Sequence, residues 1–583
     1  MTDTPVSTTD PVANDHSFFG HPKGLLILFL TEMWERFSYY GMRGLLIIYL
    51  TQHFLFSDEK SALIYGAYTA LVYVMTIIGG TLADRYLGQR KAVTFGAVLL
   101  VLGHFGMAFE GSGSQQIATI NGGEYTLTLD GRGGDANQII VQGDKTSLIS
   151  FDNETNELVI AEPDVMGLPE RIDRSTYDTK IIQQDLYKNI LFLSLALIIA
   201  GVGFLKANIS TIVGALYGVG DARRDSGFTL FYMGINLGAF LSSITCGILG
   251  IVYGWAWGFG LAGIGMLAGL MVFLWGQKFL GGRADPPDAE KLKKSVLGPI
   301  NVEWACYLAG LLMIGVSMLL VMNEEIVGGI LGPIGILMFL FLVGYAILRL
   351  KGTERNRMFA AIYFVLAQIP FWALFEQAGS SLNLFTDRLV DRTLLGWSVP
   401  APVFQSLNAA FIFIFAPIIA WLWIWLAKRK WEPSTPVKFA IGVFGVGLGF
   451  LALVAGIQTV GPAAMTPVLF IFLVYWIHTM AELMLSPVGL SAVTKLAPPQ
   501  VVGMTMGAWF LYSGLSNFLA GVIARSTGSE TIGGQLTDVA AAKATYVSVY
   551  STVGMYGIGI AVLMLLVSPV IKNWMKTDDG TMV

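Results

Sequence analysis

What this sequence has least of is charge. Only 13% of its 583 residues are Asp, Glu, Lys or Arg, against about 25% in a soluble domain. That shortage excludes an ordinary water-soluble fold. The net charge of −4 points to no class of partner, and no nucleic acid is expected. Cysteine is scarcer still: Cys246 and Cys306 lie in separate apolar runs, so neither a disulfide framework nor a CxxC metal site is expected. Residues 1–22 lack a basic segment followed by a short apolar core, so no cleaved signal is expected. Also missing are HExxH, GxSxG and any Cys/His constellation, which argues against a membrane enzyme.

What is abundant is apolar length. Hydrophobic residues make up 54% of the chain, and the mean hydropathy is +0.64. A spanning helix needs about 20 mostly apolar residues. Such runs fall near 24–52, 61–83, 91–111, 187–217, 227–249, 254–280, 302–322, 327–349, 356–385, 402–427, 437–459, 467–492, 500–526 and 546–571, about fourteen in all. The expected class is an all-α, multi-pass integral membrane protein. Lys and Arg concentrate in alternate loops, for example Arg85, Arg90 and Lys91, Arg223 and Arg224, and Lys428, Arg429 and Lys430. Basic loops stay in the cytoplasm, so an even span count places both termini there.

The longest interruption, 113–185, falls on the outer side. Its alternation in EYTLTLDG, NQIIVQG and NELVIAE, punctuated by Gly, Asp and Asn, predicts a small β-rich insertion. It reads either as a decorated loop or as a gating or partner-binding module whose partner is unknown. Asn153-Glu-Thr155 matches a glycosylation sequon. Segment 281–300 is charged and Pro-rich and reads as a linker; two nearly uncharged spans follow it. The expected organisation is therefore a tail at 1–23, a six-helix bundle at 24–280 and a linker with two extra spans at 281–353. A second six-helix bundle at 354–572 and a tail at 573–583 complete it. A faint W-x-x-F-x-x-x-G echo links WERFSYYG (34–41) with WALFEQAG (372–379), in the first span of each half. Parallel six-helix repeats are the major facilitator arrangement, with the substrate site between the halves.

Charge is rare inside the spans, so where it occurs it is informative. With Glu32 as zero and 100° per residue, Arg36 falls at about +40°, Tyr39 at about −20° and Arg43 at about +20°; Glu35 falls at about −60° and Tyr40 at about +80°. Each charge at a span's centre costs about 2.5–3.5 kcal/mol, so this stripe must face a wet cavity or a clamp between helices. Lys206, Glu376 and Glu482 lie deep in other spans. Lys206 with Glu376, or Arg36 with Glu376, are the natural pairs across the halves, as a proton-sensitive gate or as fixed bridges. Trp372 precedes Glu376 by four residues. His478, Glu482 and Ser486, and Trp509, Ser513 and Asn517, repeat at the same helical spacing. His478 alone is better read as a helix–helix hydrogen bond than as a proton relay.

Several segments resemble the proton-dependent oligopeptide transporter family. EMWERFSYYG (32–41) is similar to its first-span signature and GGTLADRYLGQRKAV (79–93) to the loop between its second and third spans. FYMGINLGAFLS (231–242), FEQAGSSLNLF (375–385), FQSLN (404–408) and AELMLSPVGLSAVTKLAP (481–498) resemble later signatures, and the two central spans resemble the extra pair of bacterial members. The resemblance implies a major facilitator fold and proton-coupled import of di- and tripeptides through the inner membrane, with protons as the coupling ion and no cofactor or metal. It assigns proton coupling to Glu32, Glu35, Arg36, Lys206 and Glu376. It assigns the peptide carboxylate to Arg43 and Lys206 and the peptide amino group to Glu482. Tyr39, Tyr40, Tyr73, Asn236, Trp372, Asn408, Ser486, Trp509 and Ser513 would line the pocket. The family's usual Lys-Pro-Asn is Lys206-Ala207-Asn208 here, which should straighten the fourth span. The same fold carrying another small solute, or a receptor built on the outer insertion, are the alternatives.

Overall fold

In hydrocarbon no water is available to the backbone, so each crossing segment must close its hydrogen bonds along itself. The computed structural model describes residues 12, 15–131, 137–152, 155, 157–218, 220–532 and 534–577. Among them are fourteen long helices: α1 Lys23–Gln52, α2 Asp58–Leu87, α3 Gln89–Met107, α4 Asp185–Ala215, α5 Arg224–Tyr253, α6 Trp255–Leu280 and α7 Val302–Met322. The rest are α8 Glu324–Arg349, α9 Gly352–Leu389, α10 Ala401–Lys428, α11 Thr435–Gln458, α12 Leu469–Leu496, α13 Val502–Arg525 and α14 Val539–Trp574. All but α1 are long and apolar enough to cross a membrane by composition alone; α1 holds the charged stripe. The count agrees with the fourteen runs in the sequence. The start of α14 does not: it begins at Val539 rather than near 546, because the Asp538 side chain caps it by accepting from the Ala541 N–H at 2.8 Å.

α9 is continuous only in outline. It runs as α-helix over Gly352–Phe375, tightens to a 3-10 turn over Glu376–Gly379 and resumes over Ser381–Leu389. α4, by contrast, is unbroken through Lys206-Ala207-Asn208.

Two apolar cores organise the helices. One is built from α1 to α6 with α7 packed onto α4 and α2; the other is built from α9 to α14. α8 leans on α13, α9 and α2, so the extra pair flanks the seam between the cores. A close crossing in that seam joins α2 to α13. A Cβ added at Gly66 would lie 2.8 Å from the Gly521 Cα, and small residues at both positions allow this approach.

The interruption between α3 and α4 is a sheet of seven antiparallel strands: β1 Gln115–Ile120, β2 Gly123–Asp130, β3 Asn137–Gln142, β4 Lys145–Phe151, β5 Leu158–Ile160, β6 Arg171–Ile172 and β7 Asp178–Ile182. They run in the order β6-β5-β4-β3-β2-β1-β7. The three alternating segments read from the sequence correspond to β2, β3 and β5. Asn153 of the sequon lies outside the described residues. The sheet sits at the face where α1 ends and α14 begins, called the insertion face below; the face where α1 begins and α14 ends is called the terminal face.

Candidate functional site

The stripe on α1 turns inward, where the rest of the helix is packed. Glu32, Glu35 and Arg36 are all buried. Arg36 Nε lies 3.1 Å from Glu32 Oε1, one helical turn away, and Arg36 also pairs with Glu35. Its guanidinium stacks at 5.2 Å over the Tyr39 ring. Glu32 Oε2 and Glu35 Oε1 have no hydrogen-bond partner among the described residues, so each carboxylate keeps an oxygen able to accept a proton or a water. Lys206 of α4 lies within Coulombic range of both carboxylates. It makes no ion pair with a described residue; its ammonium instead lies 4.0 Å over the Tyr73 ring.

About two turns beyond Arg36 on α1, Arg43 crosses the seam. It pairs with Glu376 at the break in α9, and its Nε donates to the Tyr65 hydroxyl at 2.6 Å. This corrects both expected pairings of Glu376, since neither Lys206 nor Arg36 reaches it. The reason lies in the break. The 3-10 turn begins at Glu376 and includes Gly379, where a Cβ would collide with the Tyr65 hydroxyl and lie 3.3 Å from Arg43 Nε. Glycine at this position lets α9 close onto α1 and α2 at the level of Arg43, which lies on the insertion side of Arg36.

More polar ties continue toward the insertion face. Asn383 Nδ2 donates to the Gly44 carbonyl at 2.8 Å, and Gln52 Nε2 to Asp387 Oδ2 at 2.9 Å. Arg388 Nη1 donates to both oxygens of Asp58, at 2.9 and 2.7 Å, with both side chains buried. α1 and α2 are thereby fastened to α9, and the halves are sealed on this side.

The second half contributes an anion of a different kind. Glu482 of α12 is 8% exposed and accepts from Asn408 Nδ2 at 2.9 Å. Among the described residues it has no cation within ion-pair distance. Asn408 of α10 reaches the Thr479 hydroxyl as well, at 3.1 Å. Ser486, one turn beyond Glu482, lines a cavity of about 180 Å³ with Tyr73, Trp372, Trp509, Ser513 and Asn517. Tyr73 lies under the Lys206 ammonium as well, so it joins the first half's cation to the cavity wall that the second half supplies.

Most of the residues read from the sequence therefore converge here, with three exceptions in detail. His478 leaves its stripe and donates through Nε2 to the Val446 carbonyl of α11 at 3.1 Å, a helix–helix bond as read from the sequence. Asn236 donates to the Tyr232 carbonyl of its own helix at 3.1 Å. Tyr39 is buried against Tyr40 and Tyr68. Two participants were not read. Tyr65 holds Arg43. Gln368 is buried, donates to the Trp509 carbonyl at 3.0 Å and accepts from Ser513 at 3.2 Å. Gln368 precedes Trp372 by four residues and Glu376 by eight, so the helical repeat could have found it.

A family comparison decides which lineage this arrangement belongs to. The profile of the POT family matches residues 90–296 and 330–539. The chain belongs to the POT family. Among its curated relatives are the uncharacterized transporter YclF of Bacillus subtilis, 34% identical over 96% of each chain, and the peptide transporter YePEPT of Yersinia enterocolitica, 32% identical over 89% of this chain and 90% of that one. Among solved structures it resembles a peptide transporter POT in complex with sulfate, at 31% identity and a TM-score of 0.72, covering 96% of this chain and 97% of the other. This POT chain thus has the major facilitator fold, with two additional central helices and a β insertion.

Proposed function

We infer that this POT-family chain is a proton-coupled symporter that imports di- and tripeptides by alternating access. The observation that carries the reading is a pair of buried ions on opposite sides of the seam, Lys206 in the first half and Glu482 in the second, that make no direct ion pair with a described residue. An unpaired buried charge is costly, and a ligand charge of opposite sign relieves that cost. A short peptide is a zwitterion with one charge at each end. Its carboxylate answers Lys206 and its ammonium answers Glu482, while Tyr73, Trp372 and Trp509 tolerate varied side chains between. YePEPT's name as a peptide transporter supports the same substrate class.

The proton enters the scheme through carboxylates that hold the seam. Arg43 is occupied by Glu376 while the insertion face is sealed. A proton on Glu376 neutralises that tie, frees Arg43 for the peptide carboxylate and lets the insertion face part. Glu32 and Glu35, with spare oxygens beside Arg36, hold the coupled proton and pass it on when the terminal face opens. One charge moving through 100 mV supplies about 2.3 kcal/mol, enough for about 50-fold accumulation. The basic loops support a cytoplasmic terminal face and an outer insertion face, with the inner membrane as the location. The organisation 1–23, 24–280, 281–353, 354–572 and 573–583 is kept as the domain reading.

The test is uptake of labelled dialanine into proteoliposomes under an inward proton gradient. Gradient-driven uptake that other dipeptides compete away is expected; uptake indifferent to both would end the reading.

A further inference from the structure

The β insertion hangs from one half and is seated on the other. Its stems join α3 and α4 and are tied to the α1–α2 turn. The Ser114 N–H donates to the His53 carbonyl at 2.8 Å, His53 Nε2 donates to the Glu110 carbonyl at 2.9 Å, and Gln183 Nε2 donates to the Phe54 carbonyl at 2.7 Å. All of these belong to the first half.

The apolar face of the sheet, however, is completed by a residue from the second half. Two short strands, Thr531–Ile532 and Gln535–Leu536, lie between α13 and α14. Ile532 is 1% exposed and belongs to the same apolar cluster as Ala118, Ile120, Leu127 and Ile140. Gln138 Nε2 donates to its carbonyl at 2.8 Å, and Arg174 pairs with Glu530 at 3.1 Å. Next to this junction lies a polar chamber of about 510 Å³, bounded by Gln52, Thr128, Asp387, Arg388 and Gln535. The chamber reaches the buried pair of Arg388 with Asp58 that seals the seam.

Parting the halves at this face separates α3 and α4 from α13 and α14. Ile532 must then leave the sheet, and the Gln138 and Arg174 contacts must break, before the chamber opens to water. We propose that the insertion is a latch across the outer mouth: it stabilises the state closed on that side and releases Ile532 and Glu530 once in every transport cycle. The inference rests on the alternating access and orientation proposed above. It predicts that outer opening is slower, and the outer-open state rarer, than in the same chain with the latch disengaged.

Two measurements on the full chain test it. Spin labels at Lys60→Cys and Asp391→Cys, both exposed, report the width of the mouth without any substrate. Ile532→Asp should raise the population at the longer distance about tenfold, the ratio expected from losing roughly one buried aliphatic contact. An unchanged distribution overturns the latch. Should Ile532→Asp unfold the sheet, the second measurement decides. Arg174→Cys with Glu530→Cys, joined by a short cleavable thiol cross-linker, should stop dialanine uptake until the link is cleaved. The parent's two cysteines are buried, and the same reagent should leave the parent active. Undiminished uptake by the cross-linked protein overturns the proposal. A parent that takes up no dialanine breaks the substrate reading instead, and the distance measurement still judges the latch.

Discussion

The two halves of the bundle treat buried charge in opposite ways. In the first half, Arg36 is shared by Glu32 and Glu35, with Lys206 close by. Only Arg36 pairs directly with the two carboxylates, while Lys206 adds a nearby positive charge without an ion pair, so the formal charges sum to zero when all four are ionised and a single proton upsets that sum. In the second half Glu482 stands with one amide donor and no cation. A balanced cluster can store a proton without a ligand, whereas a lone anion is incomplete until a ligand arrives. The difference teaches a division of labour: the first half is built to register protons and the second to require a substrate cation.

The strongest way to break that comparison is to remove the lone anion. Glu482→Gln keeps the shape and the Asn408 contact but deletes the charge. Loss of one partner from a buried charge pair costs about 2–5 kcal/mol, which is about 30- to 5,000-fold in affinity. Competition by dialanine should fall by that factor, while N-acetylated dialanine, which has no ammonium, should bind parent and variant alike. Equal loss for both ligands would mean that Glu482 shapes the pocket without meeting a cation.

The next largest effect should come from the balanced cluster. Glu35→Gln removes one proton acceptor and leaves Arg36 with Glu32. Accumulation of dialanine under a 100 mV potential should collapse from about 50-fold to equilibration, while counterflow exchange at equal internal and external pH persists. Measuring both in the same proteoliposomes checks it. If accumulation survives, the coupled proton is carried elsewhere and the contrast between the halves fails.

What could be read in advance follows the range of the interaction. The pairing of Glu32 with Arg36 is a matter of i, i+4 spacing on one helix, and the strands β2, β3 and β5 are a matter of alternation over a few residues. Both are local, and both were legible. Which cation meets Glu376 was not, because it depends on how far α1 slides along α9 and on a backbone break that begins at Glu376 itself. Tyr65 escaped for the same reason: nothing in α2 alone marks one tyrosine as the support of an arginine on α1. Ile532 looks like one apolar residue in a short loop until the insertion, nearly four hundred residues earlier in the chain, is folded beside it.

Lys206 sharpens the comparison from the other side. It is a cation deep within a span of the first half that makes no ion pair with a described residue, so Lys206→Gln should weaken ligands that carry a carboxylate. A hydrogen bond to a charged group contributes about 1.5–3 kcal/mol, or about 10- to 150-fold in affinity. Dialanine amide, which lacks the carboxylate, should lose little. Because Lys206 also lies near Glu32 and Glu35, proton coupling should shift as well, and the amide ligand separates the two roles: binding unchanged but coupling altered would assign Lys206 to the proton cluster alone.

The smallest expected effect is at Asn408, the one donor to Glu482 among the described residues. Asn408→Ala removes a hydrogen bond but leaves the carboxylate, so the anion becomes less held and no less charged. Such a bond contributes about 0.5–1.5 kcal/mol, which is about 2- to 12-fold in the KM for dialanine, with kcat little changed. The direction is informative. If Asn408 only positions Glu482, the loss should be similar for every peptide, whatever its side chains. A loss confined to peptides with polar side chains would instead place Asn408 against the ligand itself, and Glu482 would then be held in place by α12 alone.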